Sequence, residues 1–243
     1  MVKILIPAKN LEEGFQKGIK HIESLLEASQ ILFDSKKYPS SLSLSILALE
    51  EVTKLRMIRN SFLEKKGITN QEWFNLKKGG SHKDKLTRPS EERKKHLHEM
   101  GEERFEGART LKKMIGDPLA VLSYSQMKKG SEGYSIMGKL DKVKQDCFYL
   151  DWKNSKWSSA SIKLSKNQME AMAHISLEIT KWFLNQTILY SRHPEIELNE
   201  NSESFQKYLN DPLLKKDQEY KKKFTTNKFV KAITIATKTL ENY

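Results

Sequence analysis

The sequence predicts a mainly α-helical protein with four or five long helices, one small inserted β-hairpin and a helical C-terminal extension. Apolar residues recur every three to four positions over several long segments, which is the period of an amphipathic helix. Alternation typical of strands is confined to one short stretch near Trp152. With 243 residues, of which 37% are hydrophobic, the chain is long enough to bury a substantial core.

The N-terminal part carries the clearest helical patterns. Apolar side chains follow one face from Leu11 to Phe33, and Pro39 suits the first turn of the next helix. That helix is predicted over Ser40 to Lys65, with Gly67 as the residue that ends it. Asn70 is expected to cap a short helix that runs through Trp73 to Leu76.

The middle of the chain is predicted to be more varied. A charged amphipathic helix is expected from Ser90 to Ile115, a shorter helical piece from Leu119 to Met127, and a glycine-containing loop from Lys128 to Gly138. Residues Cys147 to Trp152 then predict a strand, which a turn joins to a second strand beginning at Trp157.

The last third predicts a long helix followed by an extension. Ser165 and Gln168 form a capping-box pattern that opens a helix running to Tyr190. Residues 195–204 form a polar linker, and residues 205–243 form a Lys-rich helical tail. We therefore expect a helical domain over residues 1–194 and an extension over residues 195–243.

The basic charge is clustered. The chain has 43 Lys+Arg and 31 Asp+Glu, a formal net charge of +12. Residues 77–95 and 207–243 each carry a net charge of +5, and residues 112–144 carry +4. Such clusters favour a polyanion such as RNA as a partner, but Lys-rich helices that are simply well solvated fit the charge equally well.

Several functional classes are disfavoured. Cys147 is the single cysteine, which excludes an internal disulfide framework and a Cys-based zinc site. No stretch reaches the roughly 18 apolar residues of a membrane span, and the N-terminus lacks a signal-peptide core, so we expect a cytoplasmic protein without membrane contact. Phosphate-cradling and metalloprotease motifs are missing, and the histidines have no metal-ligand spacing, so no metal or cofactor is expected. His174 lies among apolar neighbours and is expected to be a core or half-buried residue.

One glutamate lies on an apolar face of the second helix. Glu51 falls in the middle of the stripe formed by Leu44, Leu47, Ala48, Leu55, Ile58 and Phe62, and a second patch, Leu42, Ile46 and Leu49, lies opposite. A helix that is apolar on both sides is usually enclosed, and a carboxylate there needs a partner. Lys54 can reach Glu50 or Glu51. We expect a functional polar centre at Glu51, with a surface Glu50–Lys54 pair as the alternative.

Five further positions are candidates for chemistry. His82, in a basic loop, has a pKa suited to acid–base work on a phosphodiester, although exposed loop histidines are common. Arg93 and His98 are five residues apart, so on a regular helix they point to different faces and act together only from a distorted start or across two subunits. Tyr149 and Asp151 alternate with apolar residues, either as a polar edge or as part of a site.

Three elements in order resemble the AbiV-type abortive-infection proteins. Residues 41–54 resemble that family's A-x-x-L-A-x-x-A-x-E-E-x-x-K helix, and residues 82–85 are similar to its H-K-x-K element. Residues 144–151, with Trp157 after the turn, are similar to its R-x-x-x-L-Y-V-D strand and following aromatic residue. The resemblance covers about residues 10 to 190 and finds no counterpart in the tail.

The resemblance implies a phage-defence protein with a HEPN-like helical bundle. Many HEPN-like proteins are metal-independent ribonucleases that act as homodimers, with an Arg-x(4–6)-His motif and in some lineages Glu-x3-Lys. Arg93 and His98 match the first spacing, although the family places that motif later in the bundle. Glu50 and Lys54 match the second, and Arg56 falls one residue beyond its Arg-extended form.

The hypothesis from the sequence is an abortive-infection protein that acts on RNA or translation as a HEPN-like, metal-independent ribonuclease. His82, Arg93 and His98 would carry the chemistry with support from the polar network of Glu50, Glu51 and Lys54. Basic side chains of the same region would bind the nucleic acid, namely Lys83, Lys85, Lys94 and Lys95. One alternative is a non-catalytic helical protein that captures a phage protein or nucleic acid. A weaker alternative is a regulatory bundle that sequesters a separate enzyme.

Overall fold

The computed structural model describes residues 4–69, 73, 136–149, 151–153, 156–194 and 202–242. Two helices, α1 (Leu11–Asp34) and α2 (Tyr38–Leu63), form an antiparallel hairpin. Lys36 ends α1 in the left-handed region, with φ of 59°, so the chain can reverse within three residues. The helices approach closely where a Cβ on Gly18 would lie 2.7 Å from Cδ1 of Leu55. The predicted α1 and α2 are confirmed to within two residues at each end.

The third long helix, α5 (Lys166–Arg192), packs against the hairpin, and most of its residues are buried. The predicted capping box is confirmed, because Ser165 and Gln168 bond each other's backbone amides. Small hydroxyl residues join α5 to α2: the Ser45 hydroxyl donates to that of Ser176 over 2.8 Å, and Thr180 donates to the Ser45 carbonyl over 3.2 Å. Satisfied hydroxyls allow the two helix backbones to pack closely without an orphaned polar group.

A short antiparallel strand pair, β1 (Ile4–Ile6) and β2 (Ile68–Thr69), closes the end of the hairpin. The sequence did not predict this pair. Gly67 was predicted to end α2, but Lys65 ends it instead, with φ of 52°. Gly67 serves the strand contact, because a Cβ there would lie 2.8 Å from the Ile6 carbonyl oxygen.

The predicted inserted hairpin is present but begins later than expected. Helix α3 (Ile136–Phe148) comes first, followed by strands β3 (Asp151–Lys153) and β4 (Lys156–Ser158), which pair Trp152 with Trp157. The predicted strand start at Cys147 and the predicted loop end at Gly138 are therefore wrong, whereas residues 128–135 of that loop lie outside the described residues. Val143 is fully buried and Cys147 is partly buried, four residues apart on α3, so helix packing against α2 outweighs the strand preference of the aromatic run.

The C-terminal helices pack onto α5. After the single turn α4 (Ala160–Lys163) and α5, the chain forms α6 (Glu203–Leu209), α7 (Pro212–Phe224) and α8 (Asn227–Glu241). The helical tail is therefore confirmed, although helix starts at Glu203 within the predicted linker. Phe224 and Phe229 are 0% and 1% exposed and belong to the main core.

Some sequence predictions lie outside the described residues. These are the helices predicted at 90–115 and 119–127, and most of the short helix at 70–76, of which only Trp73 is described, as helical. Within the described part of the chain, no helix is long and apolar enough to cross a membrane.

Candidate functional site

The centre of the α2–α3 contact is a buried ion pair. The Glu50 carboxylate accepts from the Lys144 ammonium over 2.5 Å, and their side chains are 2% and 7% exposed. Burying either charge alone would cost several kcal/mol, so each side chain requires its partner. The pair thus joins residues 94 positions apart in sequence and fixes how α3 lies on α2.

The buried glutamate is Glu50, whereas the sequence argument had selected Glu51. Leu42, Ile46 and Leu49 are at most 1% exposed and form the inner face of α2. Glu50 lies about 40° from Ile46 around the helix, at the edge of that inner face. The stripe around Glu51 is buried only in part: Ala48 and Leu55 are at most 1% exposed, whereas Phe62 is 38% exposed. Glu51 itself is half-buried, with its side chain 21% exposed, so Glu50 is the more deeply buried of the two carboxylates.

Glu51 forms a second ion pair with Lys54 on the same helix. The two side chains are 21% and 25% exposed and in direct hydrogen-bond contact. The alternative expectation of a surface pair between Glu50 and Lys54 is wrong, because Lys54 bonds Glu51 and Glu50 is buried. Glu50, Glu51 and Lys54 therefore lie together, as predicted, but Glu50 is held by a lysine of another helix.

A third ion pair extends this polar region to α4. Asp146, which is 9% exposed, accepts from the Lys163 ammonium over 2.5 Å. Its neighbour Cys147 is a weak acid, because burial raises the pKa of the thiol to about 12, with the charge of Asp146 acting in the same direction and a Ser43 hydrogen bond opposing it. A thiol with this pKa is not a nucleophile at neutral pH.

Arg56 lies on α2 beyond this region. Its guanidinium carbon is 5.8 Å from the centroid of the Phe183 ring, a cation–π contact between α2 and α5. The side chain is half-buried.

Of the remaining predicted site residues, the structure describes Tyr149 and the backbone of Asp151. Tyr149 follows α3 and is 67% exposed, with its ring 6.3 Å from that of Phe148. Asp151 is the first residue of β3, so Tyr149 and Asp151 do not alternate along one strand, and that interpretation is wrong. The residues proposed for chemistry and nucleic-acid binding lie outside the described residues: His82, Lys83, Lys85, Arg93, Lys94, Lys95 and His98.

Sequence reasoning missed the partners of the buried carboxylates. Lys144 and Asp146 had been placed just before the predicted strand, with no role assigned to either residue. A signal was present, because Val143 and Cys147 are spaced for one helical face and two charged residues lie between them. Recognising α3 would have placed Lys144 next to buried positions.

A second buried carboxylate lies on α5. Glu178 is 4% exposed and pairs with Lys223 of α7 over 2.7 Å and with Lys181 over 3.5 Å. One turn earlier, the His174 ring lies 5.8 Å from those of Phe33 and Phe229. The half-buried position predicted for His174 is confirmed, and burial lowers the pKa of its imidazole.

The C-terminal helices are also tied to α5 by polar contacts. The Trp182 indole donates to the Asp217 carboxylate over 2.6 Å, and Asp217 also pairs with Lys221. Among the side chains that the structure describes, no three His, Cys, Asp or Glu residues are grouped closely enough to hold a metal ion.

Comparison with known proteins identifies one family. The AbiV family model, of HEPN type, matches residues 10–180. This range begins one residue before α1, ends within α5 and includes the Glu50–Lys144 and Glu51–Lys54 pairs. No curated protein and no solved structure matches the chain.

Proposed function

The chain belongs to the AbiV family, whose HEPN-like members serve abortive-infection phage defence, and from that premise we propose that it acts on RNA as a metal-independent ribonuclease. The matched range covers about 70% of the 243 residues and includes the helical hairpin and the buried ion pair. The observation that carries the proposal is that pair, which joins Glu50 of the E-E-x-x-K helix to Lys144 of α3 within the family-matched core.

A buried ion pair is weak evidence for a purely stabilising role. Its desolvation cost is about as large as its Coulomb attraction, and apolar residues of equal volume often stabilise a core as well or better. We infer that the Glu50–Lys144 pair fixes the orientation of α2 and α3 and so supports a site at their surface. Glu51 and Lys54, which remain partly exposed, would complete this support.

The proposed chemistry needs one proton acceptor, one proton donor and one cation. A histidine removes the proton of a ribose 2′-hydroxyl, whose oxygen attacks the adjacent phosphorus, and a protonated group donates to the departing 5′-oxygen. An arginine stabilises the additional negative charge of the phosphorane. His98 and His82 are the proposed acid–base residues, and Arg93 is the proposed cation.

The partners follow from the spacing and the charge. Arg93 and His98 on one regular helix point to different faces, so we propose a homodimer in which the two protomers combine these groups. The basic region around them supports binding of the RNA backbone through Lys83, Lys85, Lys94 and Lys95, in a protein of net charge +12.

The test is RNA cleavage by the purified full chain, with RNA from infected and uninfected cells and a chelator present throughout. Wild type is expected to cleave, and His98→Ala or His82→Ala is expected to abolish cleavage without changing thermal unfolding. His21→Ala, at an exposed position of α1, is the matched control and should cleave normally.

Two outcomes would contradict the proposal. If purified wild-type protein cuts RNA from neither infected nor uninfected cells, the ribonuclease proposal is wrong. Phage defence that survives both histidine substitutions but fails after reversal of surface charge would favour the alternative, a non-catalytic protein that captures a phage protein or nucleic acid.

A further inference from the structure

Three lysines make the outer face of α8 basic. Lys228, Lys231 and Lys238 are all exposed, and they form what we call the lysine stripe. Helix α8 carries no carboxylate before Glu241, its last residue. In the part of the chain that the structure describes, no carboxylate lies within ion-pair distance of the three ammonium groups. The stripe therefore presents three positive charges that internal pairing does not use.

The geometry of the stripe is set by the helix. At 100° per residue its members fall within an arc of about 80°, and Lys228 and Lys238 are separated by about 15 Å along the axis. The opposite face of α8 is fixed in the core, where Phe229, Ile233, Ala236 and Leu240 are at most 7% exposed. A rigid helix thus holds the lysines along one line.

Two lysines of the neighbouring helix are engaged in ion pairs. On α7, Lys221 pairs with Asp217 over 2.7 Å and Lys223 pairs with Glu178 over 2.7 Å. Lys223 thus attaches α7 to α5, whereas Lys221 pairs within its own helix. The stripe makes no such attachment, so its charges are available to a partner outside the chain.

We propose that the lysine stripe binds the phosphate backbone of RNA. Phosphates recur along a strand and are neutralised by lysines that lie in a row. A membrane surface fits less well, because an amphipathic helix that binds lipid inserts its apolar face, and the apolar face of α8 is buried in the protein. A protein partner fits less well too, because the outer face lacks the aromatic or arginine anchors on which protein interfaces usually depend.

The stripe lies beyond residues 10–180, so it is a feature of this chain outside the family-matched core. The inference rests on the proposed function only in taking RNA as the target. It assigns RNA positioning to the C-terminal helices, and it requires no particular cleavage residue. Binding can therefore be tested without cleavage.

The experiment is a titration of full-length protein into labelled single-stranded poly(U), followed by fluorescence anisotropy at several salt concentrations. A triple variant, Lys228→Gln, Lys231→Gln and Lys238→Gln, is expected to reduce the slope of log affinity against log salt by about 2, since each phosphate contact on a single strand contributes about 0.7. Extrapolated from about 1 M salt, this corresponds to binding that is about 100-fold weaker at about 0.1 M.

The matched control removes three exposed lysines of the N-terminal region. Lys9, Lys17 and Lys20 are exposed, and their substitution by Gln changes the net charge by the same amount. The control should bind with nearly the wild-type slope, and both triple variants should unfold at the wild-type temperature because every substituted side chain is exposed.

Three results would overturn the inference: an unchanged slope in the stripe variant, an equal loss in the control, or no RNA binding by wild type. Preferential binding to anionic vesicles would also overturn it and indicate a lipid surface instead. Salt-dependent binding through the stripe without any cleavage would support the inference while refuting the ribonuclease proposal, so the two failures are distinguishable.

Discussion

Replacing Glu50 by Gln should destabilise the protein severely, although the two side chains have nearly the same volume. The substitution removes one charge of the Glu50–Lys144 pair and leaves the ammonium of a side chain that is only 7% exposed without that carboxylate. Removing one partner of such a pair typically costs about 3–5 kcal/mol. Lys144→Met should cost a similar amount, because it leaves the Glu50 carboxylate in the same surroundings.

The magnitude follows from two opposing terms. At a separation of 2.5 Å, unit charges attract by about 7 kcal/mol for an effective dielectric constant near 20. Desolvation costs several kcal/mol for each ion, so the net contribution of the intact pair is small. The double variant Glu50→Gln with Lys144→Met loses the Coulomb attraction and the desolvation cost together. It should therefore be less destabilised than the sum of the single variants, by about 2 kcal/mol or more.

Urea unfolding of wild type, both single variants and the double variant measures these free energies of unfolding. Glu51→Gln is the control on the same helix, where the pair with Lys54 is 21% and 25% exposed and should contribute at most about 1 kcal/mol. Additive losses in the double variant would refute the reasoning, as would a Glu50→Gln protein as stable as Glu51→Gln. If the double variant folds but no longer protects cells from phage, the pair supports function as well as packing.

Two further predictions concern other parts of the fold. Burial lowers the pKa of His174, so the stability that its neutral imidazole contributes is fully present above the ordinary histidine pKa of about 6.5 and is lost as the pH falls through the folded-state pKa. The free energy of unfolding of His174→Gln should therefore depend less on pH in this acidic range than that of wild type. Equal pH dependence of the two proteins would contradict the assignment. Lys36→Gly should raise the free energy of unfolding in urea by up to about 1 kcal/mol, because φ is 59° at this position and glycine adopts the left-handed conformation without steric cost. Lys37→Gly is the control and should bring no gain, because φ is −87° there. Equal effects of the two substitutions would show that the backbone conformation is not the cause.

The long helices could be predicted from the sequence because their signals are local. Helix α1 follows from its apolar period, and the start of α5 follows from the reciprocal hydrogen bonds of Ser165 and Gln168. The end of α2 could not be predicted. Lys65 adopts the left-handed conformation that the sequence suggested for Gly67. Glycine is needed at position 67 because the backbone of Ile6, which is distant in sequence, packs closely against it.

The candidate site could be predicted only in part. The E-E-x-x-K pattern located Glu50, Glu51 and Lys54, but α2 is buried on both apolar sides, so its periodicity does not say which of the two glutamates is enclosed more deeply. That choice depends on where α3 and α5 pack, which is tertiary information. Lys144 was missed for the same reason, since its role depends on helix α3. The aromatic residues Phe148 and Tyr149 at the end of that helix favoured the prediction of a strand instead.

The weak acidity of Cys147 has a practical consequence for spectroscopy. With a pKa of about 12, roughly one such thiol in 10⁵ is ionised at pH 7, against about one in 30 for an ordinary cysteine. Maleimide dyes react with the ionised form, so the native cysteine would remain essentially unlabelled on the bench. A single Lys238→Cys substitution would then accept one fluorophore on the outer face of α8 without a cysteine-free background.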